Sequence, residues 1–191
     1  MKQTRFLGLA VLVLWAPAAL AHTFGAHGAG FMQGVAHPFT GLDHLLAMTA
    51  VGVWAAQQGG RALWAVPASF VLTMIIGALV AVAGIQLPHI EAMVAASVLV
   101  LGLLVAFQSR WPLAAGMGLV SLFAFFHGHA HGLEMPEAAS PVLYGFGFVL
   151  ATVVLHLVGI ASARVSGRWV QAAGVFTAAA GAWFMVNAFS I

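Results

Sequence analysis

Long apolar runs alternate with short polar breaks along the chain. The runs cover roughly residues 32–57, 62–83, 89–108, 112–132, 140–162 and 168–190. Runs of about 20 apolar residues are long enough to cross a bilayer as helices. The pattern therefore predicts an all-α integral membrane protein with six transmembrane helices. The breaks are Gln57 to Arg61, Gly84 to Pro88, Gln108 to Arg110, Gly132 to Ala139 and Ala163 to Arg168. Pro88, Pro112 and Pro141 stand where helices are expected to begin, where a missing N–H is harmless.

The N-terminus has a different pattern. Lys2 and Arg5 precede a short apolar run from Phe6 to Ala16, then Pro17 and Ala19-Leu20-Ala21. This is the layout of a secretory signal peptide over residues 1–21, with cleavage expected after Ala21 and an uncleaved signal anchor as the alternative. Residues 22–191 then form a single six-helix transmembrane domain. His22 to Gly30 is small and polar and reads as a loop. The signal peptide puts the mature N-terminus outside. The loop charges can be read separately. Arg61, Arg110, Arg164 and Arg168 fall in the first, third and fifth loops, while the second and fourth hold no Lys or Arg. Positive residues favour the cytoplasmic side, so both readings give an N-out, C-out topology. In a Gram-negative cell this means the inner membrane, facing the periplasm. Trp15, Trp54, Trp64, Trp111, Trp169 and Trp183 mostly lie near span ends, as interfacial belts require. Ala173, Thr177 and Gly181 in the last span have the spacing of a helix-packing stripe.

Composition narrows the function. With 63% hydrophobic and 5% charged residues, the surface cannot face water alone, which excludes a soluble enzyme or a nucleic-acid binder. The pI near 10 rests on six Lys/Arg against four Asp/Glu, too small a margin to signal a phosphate partner. The absence of Cys excludes disulfides, Fe–S clusters and thiolate metal sites. Nine His in so apolar a chain are out of proportion, and five of them fall in two short clusters.

The first cluster runs from His37 through Pro38, Gly41 and Asp43 to His44. Pro38 fits the first turn of a helix. Positions seven apart differ by only about 20° around a helix, so His37 and His44 share a face with Asp43 at its edge. An Asp within a span is expensive unless it is paired or bound. It either locks helices through a His or helps hold a divalent metal. The second cluster runs from Phe126 to Glu134. His127, His131 and Glu134 make one stripe if the helix persists to Glu134, and His129 points away. Gly128 and Gly132 let a neighbouring backbone come close. Glu91 opens the third helix beside His89, where the helix dipole alone favours an acid. His156, deep in the fifth helix, reads equally as a lower relay or an interhelical hydrogen bond. Helix direction puts His37, Asp43, His44, His89, Glu91 and the second cluster at one depth, on the outer side.

Both clusters resemble the signatures of the HupE/UreJ family of nickel/cobalt transporters, H-P-x-x-G-x-D-H in the first helix and F-H-G-x-A-H-G-x-E in the fourth. Every fixed position is matched, from His37 to His44 and from Phe126 to Glu134. The resemblance implies uptake of Ni2+ or Co2+ in support of urease or hydrogenase. It carries over His37, Asp43, His44, His127, His131 and Glu134 as the metal site, with Glu91 as a partner from the third helix. The expectation is therefore a secondary permease with no prosthetic group, whose partners are a divalent metal ion and the lipid bilayer, with a functional link to urease or hydrogenase maturation proteins. A zinc permease, a non-transporting metal-binding accessory protein, a membrane metalloenzyme and a bis-His haem protein are the competing classes. Imidazole and carboxylate donors suit Ni, Co and Zn alike. No G-x-x-x-x-G-K-[ST] segment is present for nucleotide hydrolysis, and H-E-x-x-H is absent.

Overall fold

The computed structural model describes residues 26–137, 139–164 and 167–189, with side chains from Gly30 onward. The signal-peptide segment lies outside the described residues. Those residues form helices and no strand: α1 (Ala26–Thr40), α2 (Leu42–Gln58), α3 (Ala62–Val82), α4 (Ile90–Ala106), α5 (Leu113–Leu133), α6 (Pro141–Ser162) and α7 (Gly167–Ala188). The last five match the expected spans to within one or two residues at most ends. Pro141 opens α6 and Pro112 caps α5.

The expected first span departs from the prediction. It is not one helix but two, α1 and α2, which meet at Gly41 with a bend of 82°. The helical run begins at Ala26, inside the stretch read as a loop, and Pro38 lies near the end of α1 rather than in a first turn. Four helices, α3, α5, α6 and α7, are long and apolar enough to cross a membrane, and the bent pair makes five if it counts as one span. At 17 residues α4 is about 25 Å long, at the lower limit for a span.

Small residues let the helices pack closely, in reciprocal pairs. A Cβ on Gly77 of α3 would overlap the Phe125 carbonyl of α5, and one on Gly128 of α5 would overlap the Met74 carbonyl of α3. The same exchange joins α2 and α6, where Gly52 meets the His156 carbonyl and Gly159 the Thr49 carbonyl. On α7, Gly181 packs on the α4 backbone at Leu99 and Thr177 is buried, but Ala173 is exposed and Gly174 completes the stripe. Without a hydrophobic drive between helices in lipid, such close backbone contact supplies the packing energy. The core contains Met48, Val51, Trp54, Phe70, Met74, Val98, Leu101 and Val120. Large apolar side chains such as Leu72, Leu79, Phe146, Leu157 and Phe176 face outward, as a lipid solvent requires.

The two ends of the bundle differ in chemistry. At one end Gln58 Nε2 donates to the Trp111 carbonyl (3.3 Å) and Gln57 Nε2 to the Val105 carbonyl (3.0 Å), tying the α2–α3 and α4–α5 connections together. Trp54, fully buried, donates from Nε1 to the Ser109 carbonyl there (2.8 Å), so it is a core residue and not part of an interfacial belt. Gly167 lies beside Gln108 at the same end, which gathers Arg61, Arg110, Arg164 and Arg168 on one side of the molecule. The histidine clusters occupy the other end.

Candidate metal centre

The break at Gly41 builds the site from the first cluster. Its φ of −96° is open to any residue, so the glycine is needed for space rather than for conformation. A Cβ there would lie 2.9 Å from Asp43 Oδ1. That oxygen accepts the backbone N–H of His44 (2.8 Å) and sits 3.0 Å from His44 Nδ1. Asp43 thus stands beside His44 Nδ1, the place a carboxylate takes behind a metal-binding imidazole, and Nε2 is the nitrogen this arrangement leaves for a ligand. On the other side of the break, His37 Nε2 donates to Glu134 Oε2 (3.0 Å).

The second cluster arrives on the last turns of α5. The helix holds through Leu133 and Glu134 caps it, so His127, His131 and Glu134 do form one stripe. His131 Nδ1 is 3.5 Å from Glu134 Oε2, and its ring lies edge-on to both His44 (centroids 4.0 Å apart) and His37 (4.9 Å). His37, His44, His131 and Glu134 each offer one donor atom, all within 4.8 Å of one another. Donors about 2.1 Å from a common ion stand roughly 3.0 to 4.2 Å apart, so a small contraction closes the four on one divalent cation. His44 and His131 are buried, while Glu134 is half-exposed, which leaves an entrance. The imidazoles of His131 and His37 hold the Glu134 carboxyl well below the usual carboxylate range, so it is ionised at the mouth at neutral pH. Neither nitrogen of His131 has a hydrogen-bond partner. A fully buried polar group left so is expensive, and a metal ion is the partner that three imidazoles and a carboxylate would accept.

The remaining predicted residues fall around this set. Asp43 supports His44. His127 lies one layer deeper, its ring 5.0 Å from that of His44. The Ser97 hydroxyl donates to the Val94 carbonyl (2.6 Å), so His127 Nε2–H donates to the Ser97 oxygen (2.7 Å) and Nδ1 is left bare. Glu91 is exposed in the first turn of α4 and is not among the four. His89 is exposed and caps that helix in a left-handed conformation (φ 58°). His129 is buried and turned away from the cluster; its Nε2 donates to the Ile85 carbonyl (2.7 Å), pinning the α3–α4 connection to α5. Two contributors went unrecognised in the sequence. Phe148 lies 4.0 Å from the His131 ring, and Tyr144 lies 5.9 Å from His37 with its hydroxyl unpartnered. Their four-residue spacing with Thr152 and His156 was the available signal.

The fold and site define a class: a polytopic helical membrane protein with a cluster of three His and one Glu gathered at one end. The chain belongs to the HupE/UreJ family, described as HupE / UreJ protein, whose pattern it matches over residues 9–186. It is 44% identical over 175 residues to Protein HupE of Rhizobium leguminosarum bv. viciae, covering 88% of this chain and 92% of that protein. No solved structure matches.

Proposed function

We propose that the protein is a secondary permease that takes up Ni2+, or Co2+, across the bacterial inner membrane to supply hydrogenase or urease. The observation that carries this reading is the four-donor cluster drawn from both halves of the bent pair α1–α2 and from the end of α5, at a single end of a membrane bundle. Family membership and the HupE relative agree with it. The donors are imidazole and carboxylate, which suit borderline divalent ions and not Cu(I). An inside-negative potential of 100 mV favours entry of a dication by about 4.6 kcal/mol, twice the value for one charge, which suffices as a driving force without nucleotide hydrolysis. The acidic, histidine-rich end faces the periplasm in this reading and the arginine end the cytoplasm.

The test is nickel uptake by proteoliposomes containing only this chain, with an imposed inside-negative potential. Accumulation above protein-free vesicles establishes transport. Binding without accumulation marks a non-transporting accessory protein instead. Uptake that prefers zinc, with nickel a poor competitor, replaces the cargo and keeps the mechanism.

A further inference from the structure

Below the four-residue cluster, polar and soft donors continue in a line toward the arginine end. Tyr144, Phe148, Thr152 and His156 recur every four residues and so form one stripe of α6. Tyr144 and Phe148 flank the cluster. The Thr152 hydroxyl donates to the Phe148 carbonyl (3.0 Å), and its oxygen lies 3.5 Å from Met48 Sδ and 3.9 Å from Met74 Sδ. Met48 is one turn of α2 beyond His44, so this trio stands one level below the cluster. One further turn along α6 is His156. It is 2% exposed, and neither ring nitrogen has a hydrogen-bond partner. The interhelical hydrogen bond that could have explained it is therefore absent among the described residues. The fully buried Phe70 ring lies between the two deeper imidazoles, 5.9 Å from His127 and 5.2 Å edge-on from His156.

Two unpaired imidazole nitrogens in an apolar interior are unfavourable unless something binds them. Charge decides what kind of binding this is. The four acidic residues, Asp43, Glu91, Glu134 and Glu137, all lie toward the outer end. From Thr152 down to His156 the donors along this line are neutral: a hydroxyl, two thioethers and an imidazole. Neutral donors hold a dication weakly, and conduction needs sites weak enough to leave as well as to enter. We propose that His156 is a second, inner binding station for a borderline divalent transition-metal ion, reached from the outer cluster past Met48, Met74 and Thr152. This inference rests on the transport reading above.

The chain has no cysteine, so His156→Cys introduces a single thiol. Cadmium titrated into the purified full-length variant is expected to give the ultraviolet charge-transfer band of a Cd–thiolate bond, absent from the wild type and removed by excess nickel. A variant that elutes and melts like the wild type but shows no band overturns the proposal. His156→Gln, close in volume and still polar, is a second measure. Its nickel uptake is expected to fall at least tenfold while the nickel Kd of the outer site stays unchanged, and wild-type uptake by this variant also overturns the proposal. If wild-type vesicles take up no nickel, the transport reading fails, and the cadmium band still decides the station.

Discussion

Replacing Asp43 by Asn keeps the shape of the side chain and removes its charge. Its Oδ1 accepts the His44 backbone N–H at 2.8 Å and sits 3.0 Å from His44 Nδ1. An ion on the far nitrogen of that ring is about 6 Å from the carboxylate. At this distance a dication and a single negative charge attract by about 5.5 kcal/mol at an effective dielectric of 20, and by about 1.4 kcal/mol in bulk water. The Asp43 side chain is 28% exposed, which places the site between these limits. The lower limit alone is a tenfold change in affinity. Losing the carboxylate behind a metal-bound imidazole typically weakens binding 10- to 100-fold. Asp43→Asn is therefore expected to raise the nickel Kd at least tenfold in calorimetry on purified protein, and to bring uptake at low nickel down to background at normal membrane levels. A Kd within twofold of the wild type would refute the reasoning and make the Asp43–His44 pair a packing device.

Four further outcomes follow from the same geometry. Gly41→Ala drives a methyl group against Asp43 Oδ1 and should weaken nickel binding in the same direction as Asp43→Asn, read by the same calorimetry. His131→Ala should abolish uptake, whereas His129→Ala, which loses only the tie to Ile85, should keep a substantial part of it after normalisation to membrane expression; equal loss in both would mean that the end of α5 does not work as a helical stripe. The depressed Glu134 carboxyl stays ionised well below its unfolded value, so the stabilisation it provides is present above about pH 4.3 and is lost only as pH falls through the folded value. Glu134→Gln should therefore weaken nickel binding at every pH between 5 and 8 in a pH titration, with no carboxylate step in the wild type over that window. Reporters fused after Arg61 or Arg110 should score cytoplasmic and one fused after Glu137 periplasmic; the opposite signals would invert the direction of transport.

Much of this was legible in the pattern of residues. The helices after the first followed from hydropathy, and the stripe of His127, His131 and Glu134 followed from helical period once the helix was taken to Glu134. The fate of His129 followed as well, because a residue two positions on faces away. The break at Gly41 was not legible. Its backbone angles are ordinary, and a glycine between Thr40 and Leu42 in an apolar run carries no hinge signal by itself. Its reason is tertiary: α1 and α2 both pack on α6, and Asp43 occupies the space a Cβ would take. Trp54 misled for a related cause. Its position near a span end suggested an interface, but the Ser109 carbonyl offered its N–H a partner inside the bundle.

The bend at Gly41 also determines what an ion does to the protein. In a straight helix His37 and His44 would stand about 10.5 Å apart along the axis, too far to touch one ion. The 82° turn brings their rings to 6.4 Å, with one imidazole on each side of the joint. Gly34 of α1 and Gly147 of α6 rest on each other's helices, as do Gly52 of α2 and Gly159 of α6, so α6 acts as a splint along both arms. In the transport reading proposed above, a captured ion is then a rivet through the elbow. It fastens α1 to α2 and both to α5, and the stability it adds grows with the logarithm of its concentration relative to its Kd. Releasing the cargo and loosening the elbow become one event.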